Sequence, residues 1–260
     1  MSTLRHVDPA ARIAEKVEIG PFTTIYGDVE IGEGTWIGPN VTIMDGARIG
    51  NHCRIFPGAV ISAIPQDLKF EGEKTTAEIG DYTTIRECCT INRGTRDRMT
   101  TRVGTNCLLM AYVHLAHDVM VGDNCIIANS ANIAGHVVIE DWVVVEGVVA
   151  MQQFVRVGQH SFVAGGSLVR KNVPPYVKAA REPLSYAGVN TVGLRRRGFA
   201  NETIAHIEDV YRMIYVHNSN MSRALHAAEL ELPNTPEKEI ILEFIRLSDK
   251  GIIRGPLGVD

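Results

Sequence analysis

The chain has 260 residues, of which 45% are hydrophobic and 22% charged, and a formal net charge of −4. That profile fits a globular protein of one large or two small domains and argues against general nucleic-acid binding. No window approaches the roughly 18 consecutive apolar residues of a membrane span, and Met1 to Val7 has no charged and apolar leader, so a cytoplasmic protein without stable membrane insertion is expected.

Stepping six residues at a time from Val7 to Val169 meets an apolar residue at 25 of 28 positions. Neither the 3.6-residue period of a helix nor the alternation of a strand accounts for this. A parallel β-helix of hexapeptide repeats does. Each hexad supplies a short strand and a turn, three hexads make one triangular coil, and the aliphatic residue points inward onto the next coil at roughly 4.8 Å. Glycine often follows it, as in Gly20, Gly32, Gly38, Gly50, Gly80, Gly104, Gly122 and Gly158, where a tight turn is expected. The residue two before it is small or β-branched, as in Val29, Ala47, Ala59, Val119 and Val137. With 18 residues per coil, Cys53, Cys89, Cys107 and Cys125 fall in one column with Cys88 beside it. Five cysteines make no complete disulfide framework, and small apolar side chains inside a solenoid are the expectation, rather than metal or redox chemistry.

The frame lapses at Asp67, Glu73 and Asp97 and resumes in phase. Whole hexads are therefore expected to leave the wall as loops near 62–78 and 92–101, and charged loops at solenoid corners face a ligand or another subunit. After Val173-Pro174-Pro175 the period ends. Asn201 is expected to cap a helix running to His217, and Ser219 to begin a second that ends near Leu232-Pro233. Thr235, as cap before Pro236, opens a third that stops near Gly251. The expected organisation is a mainly β chain: a β-helix over 1–182 and a C-terminal α-helical domain over 183–260 that covers its end.

Asp118 and His136 are one 18-residue coil apart, as are His117 and Gly135, so two imidazoles, a carboxylate and a glycine N–H should converge at one corner. Imidazole is suited to proton abstraction near neutral pH, an adjacent carboxylate orients it, and a backbone N–H can stabilise an oxyanion. This set suits attack of a substrate hydroxyl or amine on an acyl group with no serine or cysteine nucleophile. Three histidines holding Zn²⁺ would instead suit a hydratase on the same type of prism. His114 and His117 lie only three residues apart, and Asp118 is better placed to orient than to ligate, so no metal and no cofactor are expected.

At these residues the sequence resembles the UDP-N-acetylglucosamine 3-O-acyltransferase family over nearly its full length. The matching segments include Gln66-Asp67-Leu68-Lys69-Phe70, Ile91-Asn92-Arg93-Gly94-Thr95, His114 to Asp118, Ala134-Gly135-His136, Gly188-Val189-Asn190 and Gly193-Leu194-Arg195-Arg196-Arg197-Gly198-Phe199. The resemblance implies a left-handed parallel β-helix, assembled as a homotrimer with sites between subunits. It implies transfer of an (R)-3-hydroxyacyl group from acyl carrier protein to the sugar 3-hydroxyl, the first step of lipid A biosynthesis. By position His117 is the general base, Asp118 its orienter and Gly135 the oxyanion donor. Asp67, Lys69, His114, His136 and Gln153 are implied to bind substrate, with Asn190 and Arg196 at its nucleotide, and Gly165 to set acyl length. Gln152-Gln153-Phe154 stands where members carry His-Gln-Phe, and Val192 where a glutamate is common. The nearest alternatives are a related N-acyltransferase, using a 3-amino sugar or acetyl-CoA, and the metal-dependent hydratase. Because the repeat begins at Val7, no uridine-binding amino-terminal domain is expected.

Overall fold

A computed structural model describes residues 4–217 and 220–255. Short strands from successive hexads stack into three parallel sheets, here called faces A, B and C, with nine, eight and ten strands among the described residues. Face A runs from His6–Val7 to Leu168–Val169, face B from Arg12–Ile13 to Arg156–Val157, and face C from Glu18–Ile19 onward. The chain visits A, B and C in turn, which makes the expected left-handed parallel β-helix with a C-terminal helical region. The inward aliphatic residues from Ile25 to Val169 are almost wholly buried, and so are Val29, Ala47, Ala59, Val119 and Val137 at the second inward position. Where threonine takes that position, its hydroxyl donates to a carbonyl of the next coil, as Thr83 does to Gly104 O at 2.7 Å.

The turns are made differently from the expectation. The glycines after the aliphatic residue do not have positive φ; the left-handed residue is two positions later, where Asn40, Asn106, Asp118, Asn124, His136, Trp142 and His160 have φ of 56° to 64°. Asparagine and aspartate tolerate that region best among residues with a Cβ. The glycines serve close approach between coils instead. A Cβ on Gly20 would lie 2.5 Å from Pro39 N, and one on Gly80 2.6 Å from Gly104 C. At Gly50, Gly104 and Gly122, on the corner between faces B and C, the space is filled by an aspartate side chain from the next coil. Asp81 Oδ1 accepts from Asn51 N at 2.7 Å, Asp123 Oδ1 from Thr105 N at 2.7 Å, and Asp141 Oδ1 from Asp123 N at 2.8 Å. The amide two residues after each aliphatic position is left out of the sheet ladder, and at these three places a carboxylate of the next coil accepts from it. Gly122→Ala would drive a Cβ into Asp141 and its backbone. It is expected to destabilise the fold by about 1–3 kcal/mol, read from urea unfolding; an unchanged midpoint would show that the coils can part without cost.

Both lapses are extrusions of whole hexads. Ordinary coils pair residues 18 apart, as Arg102 with Met120, whereas Ala47 pairs with Ala77, 30 on, and Thr76 with Thr100, 24 on. The loops add 12 and 6 residues, both at the corner between faces A and B. This overturns the single cysteine column. Cys53 precedes the face C strand Arg54–Ile55, which stacks on Thr84–Ile85, so its neighbour is Thr83; Cys89 precedes a strand of face A. Counting in eighteens across a 12-residue insertion moves a residue to the wrong face. Only Cys107 and Cys125 are stacked, with Cys125 N 3.4 Å from Cys107 Sγ. Cys53, Cys89, Cys107 and Cys125 are buried and free as expected, while Cys88 is exposed.

Face C extends past the repeats through Val177–Ala180 and the antiparallel strand Ser185–Val189. Four α-helices follow among the described residues: α1 (Thr191–Arg196), α2 (Asn201–Arg212), α3 (Met221–Glu231) and α4 (Pro236–Arg246). α1, at six residues, is too short to show a period in the sequence. Asn201 is the first residue of α2 and not its cap; Ala200 takes that place without a side-chain bond, and a π turn, Met213–His217, continues the helix. Asn220 caps α3, and Ser219, the expected start, lies outside the described residues. Thr235 caps α4 by accepting from Lys238 N, and the helix stops at Arg246, short of Gly251. α2 seals the top of the prism through Tyr211, whose buried hydroxyl donates to Pro175 O at 2.5 Å.

Candidate active site

His117, Asp118, Gly135 and His136 meet on the corner between faces A and B, following the strands His114–Leu115 and Asn132–Ile133. No loop intervenes between these coils, so the 18-residue spacing holds. His117 Nδ1 lies 2.8 Å from Asp118 Oδ2. The imidazoles of His117 and His136 cross edge to face at 5.0 Å, and His136 stacks on Phe154 at 4.4 Å. His117 packs so closely on Gly135 that an added Cβ would lie 2.7 Å from its Cε1 and 2.8 Å from its Nε2.

The corner is buried because the second loop folds over it. Asp118 is fully buried and His117 only 6% exposed. Thr95 donates to Asp118 twice, from its N to Oδ1 at 3.0 Å and from its hydroxyl to Oδ2 at 2.6 Å. Arg98 N adds a bond to Oδ1 at 3.2 Å, and Asp118 N donates to Thr101 Oγ1 at 2.8 Å. Burial pushes the Asp118 carboxyl up, but the bonds from Thr95 and His117 outweigh it and hold the group below the ordinary carboxylate value. Burial is also the main cause that lowers His136 and His114. An ionised Asp118 is the form that can accept from His117 Nδ1 and orient the ring. Thr95, Arg98 and Thr101 carry no catalytic motif in the sequence; their one signal there is the in-phase lapse of the frame, which marks the loop that lies on this corner.

Because the folded Asp118 carboxyl titrates below its unfolded value of about 4, its stabilisation is complete above that pH and is lost as pH falls through the folded value. Thr95→Val removes one donor and raises that value. The variant is expected to be less stable by about 1.5–3 kcal/mol above pH ~4, with the difference from wild type shrinking below it, as followed by melting temperature against pH. A difference independent of pH would mean the bond does not act on the charged form.

The other expected residues are distributed unevenly. Asp67 and Lys69 lie in the first loop on the same corner, where Asp67 Oδ1 accepts from Lys69 N at 3.0 Å. His114 lies just inside face A, its Nδ1 2.7 Å from Thr90 Oγ1. Gln153 is on the corner one coil above Gly135, exposed, its carbonyl accepting from Lys250 Nζ at 2.8 Å. Gly165 is on the corner between faces C and A. Asn190 and Arg196 line a cleft of about 690 Å³ over face C, floored by Ile126, Val144 and Phe162. One chain therefore does not bring Gly165, Asn190 or Arg196 to His117.

Asp97 Oδ2 lies 3.0 Å from His136 Nδ1, but that nitrogen makes no hydrogen bond. Among the described residues the one close set of cation-ligand types is His117, Asp118 and His136. His114 is outside it, so the three-histidine set of the hydratase alternative does not assemble. Asp118 already accepts bonds on both oxygens, which leaves it poorly placed to ligate.

A corner-borne histidine and carboxylate on a hexapeptide prism define the class of the bacterial hexapeptide transferases, and that family model matches residues 28–63 and 100–135. A second model, described as UDP-N-acetylglucosamine O-acyltransferase domain 2, matches residues 172–253. The chain is 45% identical to the acyl-[acyl-carrier-protein]–UDP-N-acetylglucosamine O-acyltransferase of Thiobacillus denitrificans, covering 95% of this chain and 96% of that one. It is 44% identical to the enzyme of the same name from Janthinobacterium, covering 95% and 97%. The structure matches a UDP-N-acetylglucosamine acyltransferase from Bacteroides fragilis with a TM-score of 0.96, 51% identity and coverage of 98% and 100%. An Acinetobacter baumannii relative matches with a TM-score of 0.93, 38% identity and coverage of 98% and 99%. The chain belongs to the acyl-[acyl-carrier-protein]–UDP-N-acetylglucosamine O-acyltransferase family.

Proposed function

We propose that the protein transfers an (R)-3-hydroxyacyl group from acyl carrier protein to the 3-hydroxyl of UDP-N-acetylglucosamine, opening lipid A biosynthesis. His117 takes the hydroxyl proton as the sugar oxygen attacks the thioester carbonyl. Asp118 holds the tautomer that leaves His117 Nε2 as acceptor and stabilises the imidazolium. The Gly135 N–H stabilises the oxyanion. His117 then returns the proton to the departing thiolate.

The observation that carries this reading is the His117–Asp118 pair at 2.8 Å with a free amide beside it. On the corner between faces B and C the amide two residues after the aliphatic position is met at several coils by a side chain, as at Asn51, Thr105 and Asp123. For Gly135 the equivalent residue of the next coil is Gln153, which does not bond it, and the Gly135 N–H donates to no partner among the described residues.

A homotrimer accompanies this reading. The dyad and Gly165 sit on different edges of one prism and the cleft of Asn190 and Arg196 lies over face C, and adjacent prisms set side by side would bring such separate parts together. Face B carries ion pairs of Arg12 and Arg48 with Glu30 and suits solvent, while Tyr112 and Val148 on the corner between faces C and A are more than half exposed.

The test supplies pure protein with 3-hydroxyacyl carrier proteins of several lengths and UDP-N-acetylglucosamine, and identifies product by mass spectrometry. A 3-O-acyl ester is expected, from a species three times the chain mass by light scattering. No product at any chain length would overturn the reading, and an active monomer would overturn the shared site.

A further inference from the structure

α1 is pinned at both ends to a single residue of the β-helix. His160 sits at the left-handed corner between faces B and C, with φ 58°. Its carbonyl accepts from Asn190 Nδ2 at 2.9 Å, and Asn190 also caps α1 by accepting from Gly193 N at 3.2 Å. At the other end of α1, Arg197 Nη1 lies 3.3 Å from His160 Nδ1, and its guanidinium lies over Trp142 at 5.4 Å. The His160 ring stacks between Trp142, at 6.1 Å, and Tyr176, at 5.6 Å, and meets the edge of Phe199 at 5.0 Å.

We propose that His160 is the positioning residue of the nucleotide subsite, fixing the rotation of α1 and thereby the aim of Asn190 and Arg196 into the cleft over face C. The inference rests on the reading of Asn190 and Arg196 as nucleotide-facing. An arginine can only donate, so His160 Nδ1 must be the acceptor and the ring neutral with its proton on Nε2. Burial first, and the Arg197 charge second, push His160 down to about 4, in keeping with that state. A six-residue helix has too few internal bonds to hold its own orientation, so its aim is set by what it is tied to.

The column of His160 offers two informative replacements. Asn106 and Asn124 occupy the same corner in lower coils at φ near 57°, so His160→Asn suits the backbone and keeps an acceptor near the Nδ1 position. Phenylalanine takes the equivalent left-handed place at Phe154, with φ 65°, so His160→Phe keeps a ring between Trp142 and Tyr176 and deletes the acceptor. His160→Phe is expected to raise KM for UDP-N-acetylglucosamine about tenfold, with kcat within about twofold and the melting temperature near wild type. His160→Asn should bring KM back to within about threefold of wild type. A role in packing alone predicts the reverse order, the ring variant active and the asparagine variant impaired, and that result would overturn the inference. Arg196→Ala separates the two readings. If it raises KM and His160→Phe does not, the positioning role fails alone; if it leaves KM unchanged, the nucleotide reading of α1 fails and takes the inference with it.

Discussion

His117→Ala is expected to lower kcat by about 10²–10⁴ while leaving the fold and assembly intact. The magnitude is that of losing a positioned base. His117 Nδ1 is bound to Asp118 Oδ2 at 2.8 Å, so the ring has one free nitrogen and one orientation, and no neighbour can take its place. His136 is 5.0 Å away ring to ring, stacked on Phe154 and set at a right angle, so it faces another direction. The fold should survive because Asp118 keeps its two bonds from Thr95 and one from Arg98, so the truncation leaves no bare buried charge. Residual activity would come from binding and from the Gly135 N–H. The measurement is kcat under saturating substrates beside a melting curve. A kcat within about tenfold of wild type, in a variant that melts normally, would reject His117 as the base.

The second large effect comes from adding one methyl group. In Gly135→Ala the new Cβ would lie 2.7 Å from His117 Cε1 and 2.8 Å from Nε2, inside any real carbon contact, so the imidazole must move by a substantial part of an ångström. A displacement of that size at a reacting atom costs about 10² in rate. The backbone at Gly135 is not left-handed, so alanine adds no torsional penalty, and the loss should be in kcat with little change in melting temperature. This separates Gly135 from the glycines that keep coils apart, such as Gly122, where the neighbours include the Asp141 and Glu140 backbone as well as the Asp141 carboxylate, and stability should suffer instead. Wild-type kcat in Gly135→Ala would mean that the imidazole has slack and that its contact with the glycine does not set its aim.

Much of the fold is legible in the sequence, for a specific reason. In a stacked prism every coil repeats the same backbone bonds, so each inward position must carry an aliphatic side chain at fixed spacing, and a period of six from Val7 to Val169 is the direct imprint. The same regularity placed His117 under Gly135 and Asp118 beside His136, because no insertion falls between residues 115 and 139. Arithmetic failed where the wall is interrupted. Cys53 and Cys89 are multiples of a coil apart in number but lie on different faces, since a loop of 12 residues counts in the chain and not in the stack.

By itself, the sequence determined the prism, its phase and the convergence of His117, Asp118, Gly135 and His136, because these follow from periodicity, while the choice of His117 over His114 as base came from the family resemblance. Only the tertiary structure decided how that dyad is sheltered and what faces it. Thr95 and Arg98 reach Asp118 across about twenty residues of chain, and hydrogen-bond direction leaves no trace in spacing. The structure likewise decided that the glycines act through contact between coils, since a Cβ clash depends on the neighbouring coil. It also decided that Asn190 and Arg196 stand over face C, away from the corner of His117, because a short helix has no period and its place is set by the side chains that hold it.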